Sequence, residues 1–249
     1  MRSYFINPIG FVFVGIFLAL ASLLCCYTTI QSNSYSTASY FTIMIFAMII
    51  LIPLLTMRSL AEERKMKTEQ LVLTSPVSIT AMVMGKYLAS LTMFVGCVIV
   101  SCINFIPLYV MGHIEREGDP YSMTHIGPVT AEIVGSIIAV VLIGAAFIAI
   151  GIFVSSLTEN QLSAAVITIS IILVMVALGF INEIGSDAEG NRLISNYAIR
   201  FIIDWVSVFS RFGYFTYGIF DISALIYYLS LAGVFVFLTV RVYEKRRWG

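Results

Sequence analysis

Charge is what this sequence has least of. Only 11% of its 249 residues are Asp, Glu, Lys or Arg, less than half of the roughly 25% carried by a water-soluble domain. A surface so poor in charge cannot be solvated as a globular protein's is. Hydrophobic residues make up 59% of the chain and the mean hydropathy is +0.97, which points to lipid as the solvent. The 14 cations balance the 14 anions, so no basic excess marks a nucleic-acid partner. Cysteine is scarce. Cys25, Cys26, Cys97 and Cys102 all sit in apolar runs, two of them adjacent. That pattern suits neither a disulfide framework nor a zinc site, and they read as small packing residues. His113 and His125 flank one polar loop without cysteines or spaced carboxylates, so no metal is expected.

Catalytic constellations are missing too. There is no HExxH pair, no GxSxG elbow and no pair of carboxylates inside an apolar run. Glu132, Glu183 and Asp221 fall at the ends of such runs, which disfavours an ion-coupled carrier with buried ionisable groups near mid-membrane. Asp221, with Ser223 beside it, reads as a helix cap. Gly85-Lys86 looks like the end of a phosphate-binding loop, but Tyr87 stands where Ser or Thr is required and Thr80 where the first glycine is. The chain is therefore not expected to be an enzyme or to bind a cofactor. If ATP drives it, another chain must hold the nucleotide.

What is present is a set of six long apolar runs, at 11–30, 40–57, 84–111, 129–155, 162–181 and 220–242. At 1.5 Å per residue, about 20 residues cross the ~30 Å hydrocarbon core, so each run can form a spanning helix. The first is about twice the length of a secretory signal's apolar core and is read as an uncleaved span. Pro8 precedes it and suits an interfacial segment turning into the membrane. Asn104 and Pro107 interrupt the third run. The fourth is lined with Gly135, Ala139, Gly144, Ala145, Ala149, Gly151 and Ser155. Small residues permit close backbone approach in lipid, so this span is expected to be buried among the others. The fold class is thus an all-α integral membrane protein with one transmembrane domain over 1–249.

Sidedness follows from Lys and Arg. Arg2, Arg58, Arg64, Lys65, Lys67, Lys86, Arg241, Lys245, Arg246 and Arg247 fall on the side of the termini, against Arg116, Arg192, Arg200 and Arg211 on the other. Ten against four places both termini in the cytoplasm. The one densely charged segment, Arg58 to Gln70, then lies in the cytoplasm between spans two and three, and a short charged helix is expected there. Beyond span five, Arg200, Asp204, Ser207 and Arg211 recur at helical spacing as a polar stripe. Tyr197, Phe201, Trp205, Val208 and Phe212 supply an apolar face. An extracellular amphipathic helix is expected, serving either as a lid packed on the bundle or as an external gate; its gate candidates are Tyr197, Arg200, Phe201, Asp204, Trp205 and Arg211.

Four stretches, SYFINPIGFVF, RSLAEERKMKTEQLVLTSPVSITAMVMGKYLAS, AFIAIGIFVSSLTENQLSAA and GIFDISALIYYLSLAGVFVFLTVRVYEKRRW, resemble ABC-2-type transporter permeases, in the branch typified by the gliding-motility permease subunit. The resemblance covers nearly the whole chain. It implies a six-span exporter half in the bacterial plasma membrane that pairs with a second permease chain. Separate ATPase subunits carrying ATP and Mg would drive it, and in some operons an accessory membrane subunit with a large extracytoplasmic domain accompanies it. By this resemblance Arg58, Glu62, Glu63, Arg64, Lys65, Lys67, Thr68 and Glu69 belong to a coupling helix that docks the ATPase. Thr158, Glu159 and Asn160 match a second cytoplasmic contact. The family often has glycine where this chain has Lys67. Pro76 is expected to end the coupling segment and aim the chain into span three. An unidentified amphiphilic, lipid-linked or peptide cargo fits the apolar spans. The alternative is a non-transporting membrane scaffold or sensor that works through an ATPase.

Overall fold

The computed structural model describes residues 8–30, 35–68, 70, 78–118, 127–184, 207–208, 211–216, 218–219 and 221–248. Among these residues every regular element is helical. Helix α1 (Pro8–Cys25) begins on its proline, which lacks only an N–H that the first turn would leave unbonded. It ends in a π-helical turn, Cys26–Ile30. Helix α2 (Ala38–Thr56) leads into the short α3 (Ala61–Lys65). Helix α4 (Ile79–Ser101) is followed by a 3-10 turn, Cys102–Phe105, and by α5 (Ile106–Gly118). Helices α6 (Thr130–Leu157) and α7 (Gln161–Ile184) are joined by a tight turn. The short α8 (Phe212–Thr216) precedes α9 (Ile222–Trp248). Among the described residues six stretches are long and apolar enough to cross a membrane: Gly10–Thr29, Ala38–Lys65, Ile79–Ile114, Thr130–Leu157, Gln161–Gly179 and Ile222–Arg247.

The break in the third span falls where Asn104 and Pro107 stand, because proline offers no N–H to the carbonyl four residues back. Cys25 Sγ donates to the Asn104 carbonyl within that break at 3.4 Å, tying the end of α1 to it. Two spans run further than the apolar runs suggest. Helix α4 starts at Ile79, where Ser78 Oγ accepts from Ala81 N, and α9 carries on through Arg247. Asp221 caps α9 as expected, its Oδ1 accepting from Ser223 N at 2.9 Å.

Helix α6 is the centre of the bundle. Of its most apolar stretch 72% is buried, against 28% for the first and last spans. It touches α2, α3, α4, α7, α8 and α9. Gly135, Ala139, Gly144, Ala145, Ala149, Gly151 and Ser155 are all buried, as expected of them. A Cβ on Gly144 would sit 2.2 Å from the Phe94 ring of α4, and one on Gly151 2.2 Å from Thr56 Oγ1 of α2. The stripe thus packs against neighbours within the same chain.

The outer segment departs from its expected form where it is described. Ser207, expected on a polar stripe, is fully buried, and neither it nor Val208 is helical. The reason is tertiary: Tyr228 of α9 donates its hydroxyl to the Val208 carbonyl at 2.7 Å, drawing the strand of chain inward. Val208 and Phe212, expected on the apolar face, are buried. Residues Tyr197, Arg200, Phe201, Asp204 and Trp205 lie outside the described residues, as do Glu69 and Pro76.

Candidate functional site

At one end of the bundle the charged segment folds back against α4 and α6. The chain leaves α2 at Thr56 and makes one turn before α3, whose opening amides have no acceptor in their own helix. Leu60, in the capping position, has no side chain able to supply one. Ser155 of α6 does so instead: its Oγ accepts from Leu60 N at 3.1 Å and Ala61 N at 3.0 Å, and donates to the Met57 carbonyl at 3.2 Å. A hydroxyl almost a hundred positions away therefore caps the helix, and with 0% exposure it works without competition from water.

The expected charged helix is much shorter than the segment. Helix α3 covers five residues and ends in a Schellman turn, with Thr68 N bonded to the Glu63 carbonyl and Lys67 N to the Arg64 carbonyl, both at 3.0 Å. Such a turn needs a left-handed residue, and Lys67 takes it with φ of 56°. This is the position where glycine would carry the least strain. The tip of the segment is a closed turn rather than a continuing helix for this reason.

The charges divide into two groups. Arg58 Nη2 binds Glu62 Oε1 at 2.7 Å. Glu63 Oε2 meets Lys86 Nζ of α4 at 2.5 Å, and the same ammonium donates to the Ser59 carbonyl at 2.7 Å. Arg64 reaches across to the α6–α7 turn, donating to the Leu157 carbonyl at 3.1 Å and to Glu159 Oε1 at 2.9 Å. Arg246 of α9 donates to the Ser156 carbonyl at 2.7 Å. These side chains hold the end of the bundle together. Lys65, Met66, Lys67 and Asn160 are exposed instead, as is Glu159 for all its bond to Arg64, with Thr68 half-buried, its Oγ1 on the Glu63 carbonyl. Thr158 Oγ1 turns back to the Val154 carbonyl and Asn160 Oδ1 accepts from Leu162 N, closing α6 and opening α7.

Arg64 thus joins the described part of the first stretch, 58–68, to the turn that carries the second, 158–160. Residues 24–240 match the model of the ABC-2 family transporter protein. The chain belongs to this family. It is accordingly a multi-pass membrane protein and a transport component, and permeases of this family generally work with ABC ATPase subunits. Searches of curated proteins and of solved structures each returned no match.

Three contributors to this end of the permease were not legible as such in the sequence. Ser155 looked like one more small residue in a packing stripe. Lys86 counted only as a cation near a span end. Met66 was an apolar residue lost among charges, yet it is 62% exposed at the tip of the turn.

At the opposite end, Arg211 is the one gate candidate within the described residues. Its guanidinium lies 3.9 Å from the centroid of the Tyr227 ring. Phe212 and Phe215 beside it are buried, and the Phe215 carbonyl is so close to α6 that a Cβ on Gly135 would approach it to 2.8 Å. This part of the outer segment is fastened to α6 and α9. Among the described residues no three His, Cys, Asp or Glu side chains gather as a metal site would require.

Proposed function

We propose that this permease is the membrane half of an ATP-driven exporter, and that Lys65, Met66, Lys67, Glu159 and Asn160 form the face on which a separate cytoplasmic ATPase docks. The observation that carries this reading is the Arg64 bridge, which joins α3 to the α6–α7 turn and makes both stretches move as one piece. A push on the tip would pass through Ser155 into α6, the helix that touches most of the bundle. Exposed charges of both signs set the register and rate of docking more than its strength, while an exposed methionine at the centre suits an anchor in an apolar pocket.

The excess of Lys and Arg at this end supports a cytoplasmic location for it and for both termini, in the inner membrane of a bacterium. ATP and Mg would reside on the ATPase. A second permease chain would complete the translocation path, with cargo of amphiphilic, lipid-linked or peptide character moving outward, and an accessory subunit would join in some settings. The likeness to the gliding-motility branch belongs to this proposal as well. Tyr197, Arg200, Phe201, Asp204, Trp205 and Arg211 would gate the outer side.

The test is co-purification of the ATPase with the permease carrying Lys65→Glu and Lys67→Glu. Both side chains are exposed and neither serves the internal pairs, so insertion and folding are retained while ATPase recovery falls. Undiminished recovery would refute the docking face. Cargo-stimulated ATP hydrolysis by the reconstituted complex separates an exporter from a scaffold or sensor, which would show none.

A further inference from the structure

The start of α4 and the end of α9 enclose an open cleft of about 670 Å³, lined by Ser78, Ile79, Thr80, Arg241, Glu244, Lys245 and Arg247. Three cations face one carboxylate, and that carboxylate is already engaged, Glu244 Oε2 lying 2.8 Å from Arg241 Nη1. Two positive charges, on Lys245 and Arg247, remain in excess beside the Ser78 and Thr80 hydroxyls. The seven residues that precede Ser78 in the chain contain no ionisable side chain.

The surroundings say what kind of anion fits. Helices α4 and α9 pack together through Val83, Val236 and Val240. Their other faces point away from the bundle. Below Thr80 on α4, Met84 and Leu88 are exposed, and below Arg241 on α9, Phe237 and Val234 are exposed. Spacings of three and four keep each pair on the cleft's side of its helix. Both helices lie in segments able to span a membrane, so these side chains meet acyl chains. The Arg241 guanidinium is 4.9 Å from the Phe237 ring centroid, which sets it at the boundary between apolar wall and water. A cationic cleft above an apolar wall matches a molecule with an anionic head and a hydrocarbon tail.

We propose that this cleft binds the phosphate headgroup of an anionic phospholipid from the leaflet at the α3 end. Lys245 and Arg247 contact the phosphate oxygens, Ser78 donates its hydroxyl proton while its oxygen accepts from Ala81 N and the Thr80 hydroxyl, and the acyl chains run along Met84, Leu88, Phe237 and Val234. Arg241, Lys245 and Arg247 lie beyond the segment that matches the family. The site is separate from the docking face, and it depends only on the helices' membrane placement. Lys86, which holds Glu63 of the charged segment, stands two turns along α4 from the cleft, so a bound headgroup would steady the helix on which that segment leans.

The test uses the full-length permease in neutral detergent, titrated with phosphatidylglycerol and followed by native mass spectrometry. Each cation near an anionic surface changes affinity about fivefold, so Lys245→Gln with Arg247→Gln should lower it about twenty-fivefold. Phosphatidylcholine should bind far more weakly, and inorganic phosphate should not displace the lipid. Lys65→Gln with Lys67→Gln, which removes the same charge at the same end, should leave binding unchanged. Lys245→Arg with Arg247→Lys should retain it, which separates lost charge from lost folding. The proposal is overturned if the glutamine pair binds phosphatidylglycerol as the parent does. It is equally overturned if both charge-removing pairs weaken binding alike, or if phosphate alone displaces the lipid and so shows a site for free anions.

Discussion

Replacing Ser155 with alanine tests the idea that α6 carries the charged segment. The substitution removes one oxygen that accepts from Leu60 N and Ala61 N and donates to the Met57 carbonyl. Nothing fills its place, because Leu60, Ala61 and the serine are all fully buried and water cannot replace the lost acceptor. Loss of a helix cap costs about 1 kcal/mol, and an unsatisfied buried donor about 1–3 kcal/mol, so a total near 2 kcal/mol is expected for local opening. The cost falls on α3, since alanine fits the helical backbone of α6 at least as well as serine does. Hydrogen–deuterium exchange, read peptide by peptide, is the assay. A change of about 2 kcal/mol is a factor of about thirty in the opening equilibrium. Peptides covering 57–68 should exchange about thirtyfold faster, with the rest of α6 as the internal reference. Exchange within threefold of the parent, or acceleration spread evenly over α6, would refute the reasoning. In the reconstituted complex the same variant should retain ATP hydrolysis while transport falls, because the tip would still dock on a lever no longer joined to the bundle.

Other substitutions probe the same frame. Lys67→Gly should slow exchange at the tip of the segment. Relief of the left-handed strain, about 1–2 kcal/mol, exceeds the about 0.5–1 kcal/mol of added backbone entropy, and Lys67→Val, which favours that conformation less, should speed it. Gly144→Ala should lower the thermal midpoint, since its Cβ meets the Phe94 ring at 2.2 Å and overpacking costs about 1–3 kcal/mol. Adding Phe94→Leu, which lacks the two closest ring atoms, should restore part of the loss. Glu159→Gln should change exchange of the α6–α7 turn little, because that carboxylate is 76% exposed and surface pairs contribute at most about 1 kcal/mol. Arg64→Ala should loosen the same turn more, since it also gives up the bond to the Leu157 carbonyl; equal effects of the two would contradict this assignment.

Much of the architecture was readable from local chemistry. Span existence depends on the length of apolar runs, which is a property of neighbours in the chain. The break at Asn104 and Pro107, the Asp221 cap and the burial of the small residues of α6 follow from the same short-range rules. Boundaries were less legible. Helix α9 runs on through Glu244, Lys245, Arg246 and Arg247 because backbone hydrogen bonding does not stop where hydrocarbon does. The outer segment failed for another reason. Helical spacing placed Ser207 with the polar residues, but the Tyr228 hydroxyl holds the neighbouring carbonyl and buries it.

By itself, the sequence determined that this chain lives in lipid, has six runs long enough to cross it, and carries a densely charged short segment between the second and third. It also told, by helix length and Lys and Arg placement, which stretches could share an end. Only the tertiary structure decided what each charge does. Glu63 and Glu159 are chemically alike and lie in similarly polar stretches, yet one is half-buried against Lys86 and the other points outward beside Arg64. Lys65 and Lys67 are exposed while Lys86 is held against Glu63. The physical reason is distance along the chain. Arg64 and Glu159 are 95 positions apart, and Ser155 and Leu60 likewise. No periodicity within one helix encodes which of them will meet. That depends on how closely α2, α4 and α6 approach, and so on the glycines that let them.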